Sequence, residues 1–312
     1  MEEKIIEVLA VNISEKKGTV KNAVEQITLN DKGVLNDAHA GIWHRQVSML
    51  ARESVEKFEK DAKRKIAFGE FAENITTKGM ELFHANPFDR FVSDNIELEV
   101  TQIGKKCHGD NCAIFREVGN CVMPKEGIFV RVKKGGKLKA GVKFKYIPKT
   151  FKIRIITLSD RASSGEYEDR SGPRVSELVA EYFEKINWKC EIENILIPDN
   201  PVQLANLLED SITKKIDVVF TTGGTGIGPK DFTPEVVNEY IDKEIPGIME
   251  LIRMKYGQEK PNALLSRGVA GVMEETLIYA MPGSVKAVNE YMTEILNTLK
   301  HLFLMLRSID SH

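Results

Sequence analysis

Ile216–Glu235, IDVVFTTGGTGIGPKDFTPE, decides how this chain is read. Ile216 and the run Val218-Val219-Phe220-Thr221-Thr222 are apolar or β-branched, the composition of a buried strand. Four glycines then fall within six positions, at Gly223, Gly224, Gly226 and Gly228, so the backbone goes where side chains cannot follow. After Asp231, Thr233 and Pro234 read as N-cap and first residue of a helix with Glu235 in its first turn. A strand that breaks into a glycine loop ahead of a helix directs backbone N–H groups and a helix N-terminus at one spot, which favours an anion such as phosphate. The plainer alternative is a turn that only joins strand to helix. It leaves unexplained three hydroxyls (Thr221, Thr222, Thr225), the cation Lys230 and the carboxylate Asp231, all within eleven residues at a strand's carboxyl end.

Two common phosphate motifs are excluded. A P-loop places Lys and Ser/Thr directly after its second glycine, whereas Gly228 is followed by Pro229, Lys230 and Asp231. The dinucleotide fingerprint counted from Gly224 meets Pro229 at its sixth position. A carboxylate beside a phosphate repels it unless Mg²⁺ lies between them, held by one or two carboxylates and by phosphate oxygens. Asp199, in Ile197-Pro198-Asp199-Asn200, ends another predicted strand and is the second acid for that role; as a turn residue or helix cap it has an equally simple explanation.

Outward from this loop, strands alternate with helices. Ile153–Leu158, Cys190–Ile197, Ile216–Thr222 and Thr276–Ala280 read as strands; Pro173 to about Ile186, a segment from Pro201, another from Pro234, and Val285 to about Leu306 read as helices. That order predicts a three-layer α/β unit with a mostly parallel sheet covered on both faces. Before it the pattern is mainly β: Ile5–Ile13, Phe91–Ile103, Ile128–Val132 and Val142–Ile147, interrupted by one amphipathic helix expected from Ser48 to about Lys65. The change of pattern falls at Pro148–Lys152 and divides the chain into 1–148, a closed β structure, and 149–312.

The 312 residues suffice for two cores. With 44 basic and 46 acidic side chains the formal charge is −2, which gives no argument for nucleic acid or a membrane surface. The N-terminal apolar run ends at Ile13, too short for a signal peptide or a span, and no other segment approaches ~20 apolar residues. Four cysteines without an even framework fit reduced thiols and a cytoplasmic location. Three of them cluster at Cys107, Cys112 and Cys121, with His108. Zinc ligation, buried packing and a reactive thiolate all remain open there, although the paired C-x₂-C spacing of zinc sites is absent.

Ser159-Asp160-Arg161-Ala162-Ser163-Ser164-Gly165, Tyr167, Asp169 and Gly172, then TTGGTGIGPKDFTPE, Glu244–Gly247, Leu265-Ser266-Arg267 and Pro282–Val288 resemble the MogA/MoaB family of molybdopterin adenylyltransferases from about Phe151 onward. The resemblance implies transfer of AMP from ATP to molybdopterin with release of pyrophosphate. It implies Asp199 and Asp231 as catalytic carboxylates acting through Mg²⁺. It assigns substrate binding to Ser159, Asp160, Arg161, Thr222, Gly223, Gly224, Thr225, Gly226, Lys230, Ser266, Arg267, Gly283 and Ser284. The family's usual arginine before the motif aspartate is Lys230 here, which keeps the charge and loses the planar fork. A homotrimer through this half and exchange with a molybdate-insertion enzyme are implied in the same way. Ser266 and Arg267 have a purely structural alternative, Arg267 pairing with a surface acid.

Asp37–Gly41 with His44–Ser48, Phe68–Thr76, and Gly127 to Gly141 resemble the MOSC domain, a β-rich module of molybdenum-cofactor sulfurases, over about Lys4–Tyr146. The resemblance implies molybdenum cofactor or sulfur bound near Cys112, with His39, Arg45 and Asn74 in the pocket. A cofactor carrier without catalysis is the rival to the enzyme.

Overall fold

The computed structural model describes residues 4–106 and 121–309. Two compact units divide between Lys149 and Thr150.

The first unit holds strands β1 (Ile5–Ile13), β2 (Asn22–Val24), β3 (Gln26–Asn30), β4 (Gly33–Val34), β5 (Val47–Ala51), β6 (Ile75–Lys78), β7 (Arg90–Val92), β8 (Glu97–Ile103), β9 (Ile128–Lys134), β10 (Gly136–Lys139) and β11 (Lys143–Ile147). Seven of them, in the order β11-β7-β8-β9-β5-β6-β1, close into a barrel through β1–β11 pairing, with β2 flanking β1 and a small β10-β3-β4 sheet alongside. β5–β6 is the one parallel pair of the ring. Ile6, Val8, Met49, Ile75, Phe91, Leu98, Val130 and Phe144 belong to its core.

Two expectations change here. The segment predicted as helix from Ser48 begins as β5, and the helix runs Arg52–Ala62. All five β5 residues are buried and four of them are apolar, so the strand lacks the alternation by which periodicity separates it from a helix. Val55 and Phe58 of that helix pack with Leu50, Ile66, Phe71, Met123 and Phe129. Phe91–Ile103 is a hairpin of β7 and β8, its turn held by the Ser93 amide donating to the Ile96 carbonyl at 2.9 Å.

The second unit is a sheet in the order β13-β12-β14-β17-β16-β15, from β12 (Thr150–Leu158), β13 (Lys189–Ile197), β14 (Val218–Thr222), β15 (Lys243–Glu244), β16 (Val269–Met273) and β17 (Thr276–Met281). β13, β12, β14 and β17 are parallel, while β16 and β15 continue antiparallel. Helices Pro201–Thr213 and Thr233–Tyr240 bury Leu204, Leu208, Val236 and Val237 on one face. Beneath Ser171–Lys185 and Val285–Leu306, Phe183 and Phe303 pack on Phe151, which stacks on Trp188 with ring centroids 4.8 Å apart.

The helix expected from Pro173 begins at Ser171 because the Asp169 carboxylate takes the amides of Ser171 (2.9 Å) and Gly172 (3.2 Å). Thr233 is not the cap of its helix: Phe232 holds that position, and the Thr233 hydroxyl donates instead to the Gly223 carbonyl at 2.9 Å.

Candidate active site

Chain leaves the carboxyl end of β12 toward one face of the sheet and that of β14 toward the other, which makes the β12/β14 gap a topological switch point, the usual ligand crevice of open α/β sheets. Ser159–Arg161 follow β12, Asp199 follows β13, the glycine loop follows β14, and Gly283–Ser284 follow β17.

The loop's glycines are sterically required. Gly223 has φ +106°, and a Cβ there would lie 2.4 Å from the Leu158 carbonyl oxygen. At Gly226 a Cβ would meet Asp231 Oδ2 at 2.6 Å. Thr222 is buried, its hydroxyl 3.0 Å from Ser171 Oγ. Thr225, also buried, accepts the Arg267 amide at 3.0 Å. Gly224 and Gly283 complete the narrow passage, a Cβ on Gly283 coming within 3.3 Å of Gly223 Cα.

Arg267 braces this loop. Its Nε donates to the Gly226 carbonyl and its Nη2 to the Asp231 carbonyl, both at 2.6 Å, while Nη1 pairs with Glu235. That pairing holds the Glu235 carboxyl below its ordinary value. The surface-acid partner is therefore real, and the same guanidinium fixes the loop on which any ligand would rest.

Asp160 and Asp199 are clasped reciprocally. The Asp160 amide donates to Asp199 Oδ2 (3.2 Å) and the Asp199 amide to Asp160 Oδ1 (3.0 Å). Lys230 reaches over from the glycine loop and sets its ammonium 2.5 Å from Asp160 Oδ2. This contact first, and the Asp199 amide second, keep the Asp160 carboxyl below its ordinary value, and Asp160 raises Lys230 in return. The Asp231 carboxylate turns back into its own loop, accepting the Gly228 amide at 2.8 Å. Ser159 caps the short helix Asp160–Ser163 by accepting the Ala162 amide, and its hydroxyl is 3.1 Å from that of Tyr167, on whose ring Arg161 stacks. On the far side of the loop, Thr225, Gly226, Ser266 and Ser284 share a cavity of about 360 Å³; there Ser266 accepts from the Tyr291 hydroxyl at 2.7 Å.

The donor set suits magnesium. Among the described residues no three His, Cys, Asp or Glu side chains converge to hold a metal ion unaided. The clasped Asp160–Asp199 pair offers hard oxygens, and the ammonium already seated on Asp160 shows that positive charge is favoured there. Magnesium ordinarily takes one or two carboxylates and completes its octahedron with phosphate and water oxygens.

In the first unit two of the predicted residues, His39 and Asn74, meet at Asp37. Its carboxylate receives the Lys21 ammonium at 2.5 and 2.7 Å, the Ser14 and His39 amides at 3.0 Å each, and the Asn74 side-chain amide at 3.2 Å. Burial alone would raise Asp37; the hydrogen bonds from His39 and Lys21 outweigh it and hold the carboxyl well below the usual range. Burial pushes Lys21 down despite Asp37. Asn74 also accepts from the Ser48 amide and hydroxyl, so it ties β5 to the Asp37 turn. His39 Nδ1 lies 3.4 Å from Lys21 Nζ. Arg45 stacks 4.9 Å from the Trp43 ring centre, and its buried Nε has no hydrogen-bond partner among the described residues. Lys21 and Trp43 carried no sequence signal, being a lone lysine and a lone aromatic in irregular stretches. Cys112 and Cys107 lie outside the described residues.

Residues 154–301 match the family described as "Probable molybdopterin binding domain", and residues 36–145 match the MOSC domain. The molybdopterin adenylyltransferase of Pyrococcus furiosus is 36% identical over 166 residues, covering 50% of this chain and 94% of that protein. That of Helicobacter pylori is 38% identical over 146 residues, covering 45% and 79%. The molybdenum cofactor biosynthesis bifunctional protein of Chlorobaculum tepidum is 34% identical over 183 residues, covering 58% and 54%. A solved structure of the tungsten cofactor synthesizing protein MoaB from Pyrococcus furiosus aligns at TM-score 0.45 and 34% identity, covering 51% of this chain and 99% of that one. The chain belongs to the molybdopterin-binding-domain family of molybdenum cofactor biosynthesis and carries a MOSC domain ahead of it. Its second half is homologous to molybdopterin adenylyltransferases.

Proposed function

We propose that the second half adenylylates molybdopterin. The terminal phosphate of the pterin attacks the α-phosphate of ATP, an oxygen–phosphorus bond forms, the α–β bridge breaks, and pyrophosphate leaves. The observation that carries this reading is the meeting of Asp160, Asp199 and Lys230 beside a glycine loop at the switch-point crevice. Such a transfer asks a protein for positioning and charge neutralisation rather than a covalent nucleophile. The loop from Gly223 to Gly226 and Lys230 bind phosphate oxygens, Ser159 and Arg161 line the mouth, and Arg267 keeps the loop rigid. Asp199 and Asp231 act as the catalytic carboxylates, Asp231 once it leaves the Gly228 amide. Magnesium, when bound, neutralises charge on the phosphate oxygens.

The first half, on this proposal, binds molybdenum cofactor or carries sulfur at Cys112, with His39, Arg45 and Asn74 in its pocket. A homotrimer through the second half and delivery to a molybdate-insertion enzyme complete the proposal. The carrier reading draws support from the Asp231 carboxylate being occupied by its own loop. Purified protein given ATP, Mg²⁺ and molybdopterin separates the two: an enzyme releases pyrophosphate, and Asp231→Asn abolishes release while thermal unfolding is unchanged. Pterin binding without pyrophosphate would leave the carrier.

A further inference from the structure

Asp169 makes more hydrogen bonds than capping a helix requires. Besides the amides of Ser171 and Gly172, its Oδ1 accepts the Ser171 hydroxyl at 2.9 Å, and its Oδ2 accepts the Thr157 hydroxyl at 2.8 Å. Gly172 leaves the room for this, since a Cβ there would lie 2.6 Å from both Asp169 Oδ2 and Thr157 Oγ1. Thr157 and Thr222 are register partners, the last pair of the β12–β14 ladder, and the next residue is Gly223, whose amide donates to the Met281 carbonyl at 3.0 Å. The network therefore closes the ladder where the crevice opens. Its hydrogens have a fixed direction. An ionised carboxylate only accepts, and a serine hydroxyl has a single hydrogen. That of Ser171 goes to Asp169, so across the 3.0 Å between Ser171 Oγ and Thr222 Oγ1 it is Thr222 that donates. Thr157 Oγ1, 3.5 Å from Thr222 Oγ1, is beyond a normal O–H···O bond. The buried Thr222 hydroxyl thus has no hydrogen left for a ligand.

We propose that Asp169 is a positioning residue for the glycine loop, acting through Ser171 and Thr222 to fix where Gly223 begins it, and that Thr222 serves the site by this placement rather than by touching substrate. The proposal rests on the adenylyl-transfer reading only for the reaction that the loop serves. A loop that orients a reacting phosphate loses rate steeply when it shifts, about 10²-fold for a displacement of about 1 Å, while the ligand can still bind.

The test compares the full chain with Ser171→Ala, Thr222→Val, their double variant, Asp169→Ala and Asp169→Asn. NMR amide exchange of Gly223 is read as a ratio to that of Val219 in the same strand, so that a general loss of stability cancels. The ratio is expected to rise about tenfold in Ser171→Ala and in Thr222→Val, and no further in the double variant, because both substitutions remove the same bond. Asp169→Ala should match them, whereas Asp169→Asn keeps an oxygen for Ser171, turns its amide toward the Thr157 oxygen and should stay within about threefold of wild type. In pyrophosphate release, Thr222→Val should lower kcat about tenfold and leave MgATP affinity within about twofold by calorimetry. A ratio unchanged in both single variants, an additive double variant, or Asp169→Asn as impaired as Asp169→Ala would overturn the proposal. So would a tenfold loss of MgATP affinity in Thr222→Val with kcat retained, which would put its hydroxyl on the substrate. A wild type that never releases pyrophosphate while the exchange pattern holds sinks the transfer reading and leaves the role of Asp169 standing.

Discussion

Asp37→Asn should destabilise the first unit severely. Lys21 and Asp37 each expose only 1% of their side chains and meet at 2.5 Å, so neutralising Asp37 leaves an ammonium buried without its counter-charge. Removing one member of a buried pair costs about 3–5 kcal/mol, whereas replacing both with neutral groups is far milder. The double variant Lys21→Met/Asp37→Asn should therefore be more stable than Asp37→Asn alone, by about 2 kcal/mol. The assay is built into the chain, which has two tryptophans, Trp43 in the first unit and Trp188 in the second. In a Trp188→Phe background, fluorescence during guanidinium titration follows the first unit alone, and a shifted midpoint at constant slope reports stability. Asp37→Asn costing under about 1 kcal/mol, or the double variant falling as far as the single, would refute this account of the pair. The pH dependence has a defined sign. Because the folded-state value of Asp37 is depressed, its contribution is present above the unfolded carboxyl value of about 3.9 and disappears only as pH falls through the lower folded value. Asp37→Asn should abolish that part of the acid transition.

Three further outcomes follow from the second unit. Gly223→Ala meets both a positive φ and the Leu158 carbonyl at 2.4 Å, so a loss of at least about 1–2 kcal/mol is expected in thermal unfolding, together with weaker ATP binding by titration calorimetry. Arg267→Lys keeps the charge but cannot hold the Gly226 and Asp231 carbonyls and Glu235 at once; turnover should fall more than melting temperature, and equal pyrophosphate release by the two proteins would count against the bracing role. Lys230→Met should return the Asp160 carboxyl toward its ordinary value, so NMR titration should show it protonating at higher pH than in the wild type.

The glycine loop and its strand were legible because they are local: four glycines after a β-branched run leave the backbone few choices. The helix starts at Pro201 and Val285 were legible for the same reason; their caps are Asn200 and Ser284, so the cap alternative for Asp199 passes to its neighbour. The β16–β17 hairpin was not, since its turn is Glu274-Glu275, with Glu274 at φ +52° in place of the Asn-Gly or Asp-Gly that announces such turns. Nor does spacing reveal partners distant in sequence. Arg267 finds Glu235 across 32 positions, and Lys21 finds Asp37 across 16 positions that include β2, β3 and β4. Asp231 shows the same limit at short range: its hydrogen bond to the Gly228 amide belongs to the loop's geometry, which residue type does not reveal.

The barrel's odd strand count has a consequence of parity. Strands that alternate up and down around a ring can close only in even number, so a ring of seven must contain a pair running the same way. That pair is β5–β6, and two strands running the same way cannot be joined by a tight hairpin; the chain must cross back along the barrel's height before the second strand starts. Residues 52–74 make that crossing, and the helix Arg52–Ala62 is part of it. The crossing ends at Asn74, whose side-chain amide donates to Asp37 at 3.2 Å, so the strand that breaks the alternation begins directly after the residue that holds the buried carboxylate.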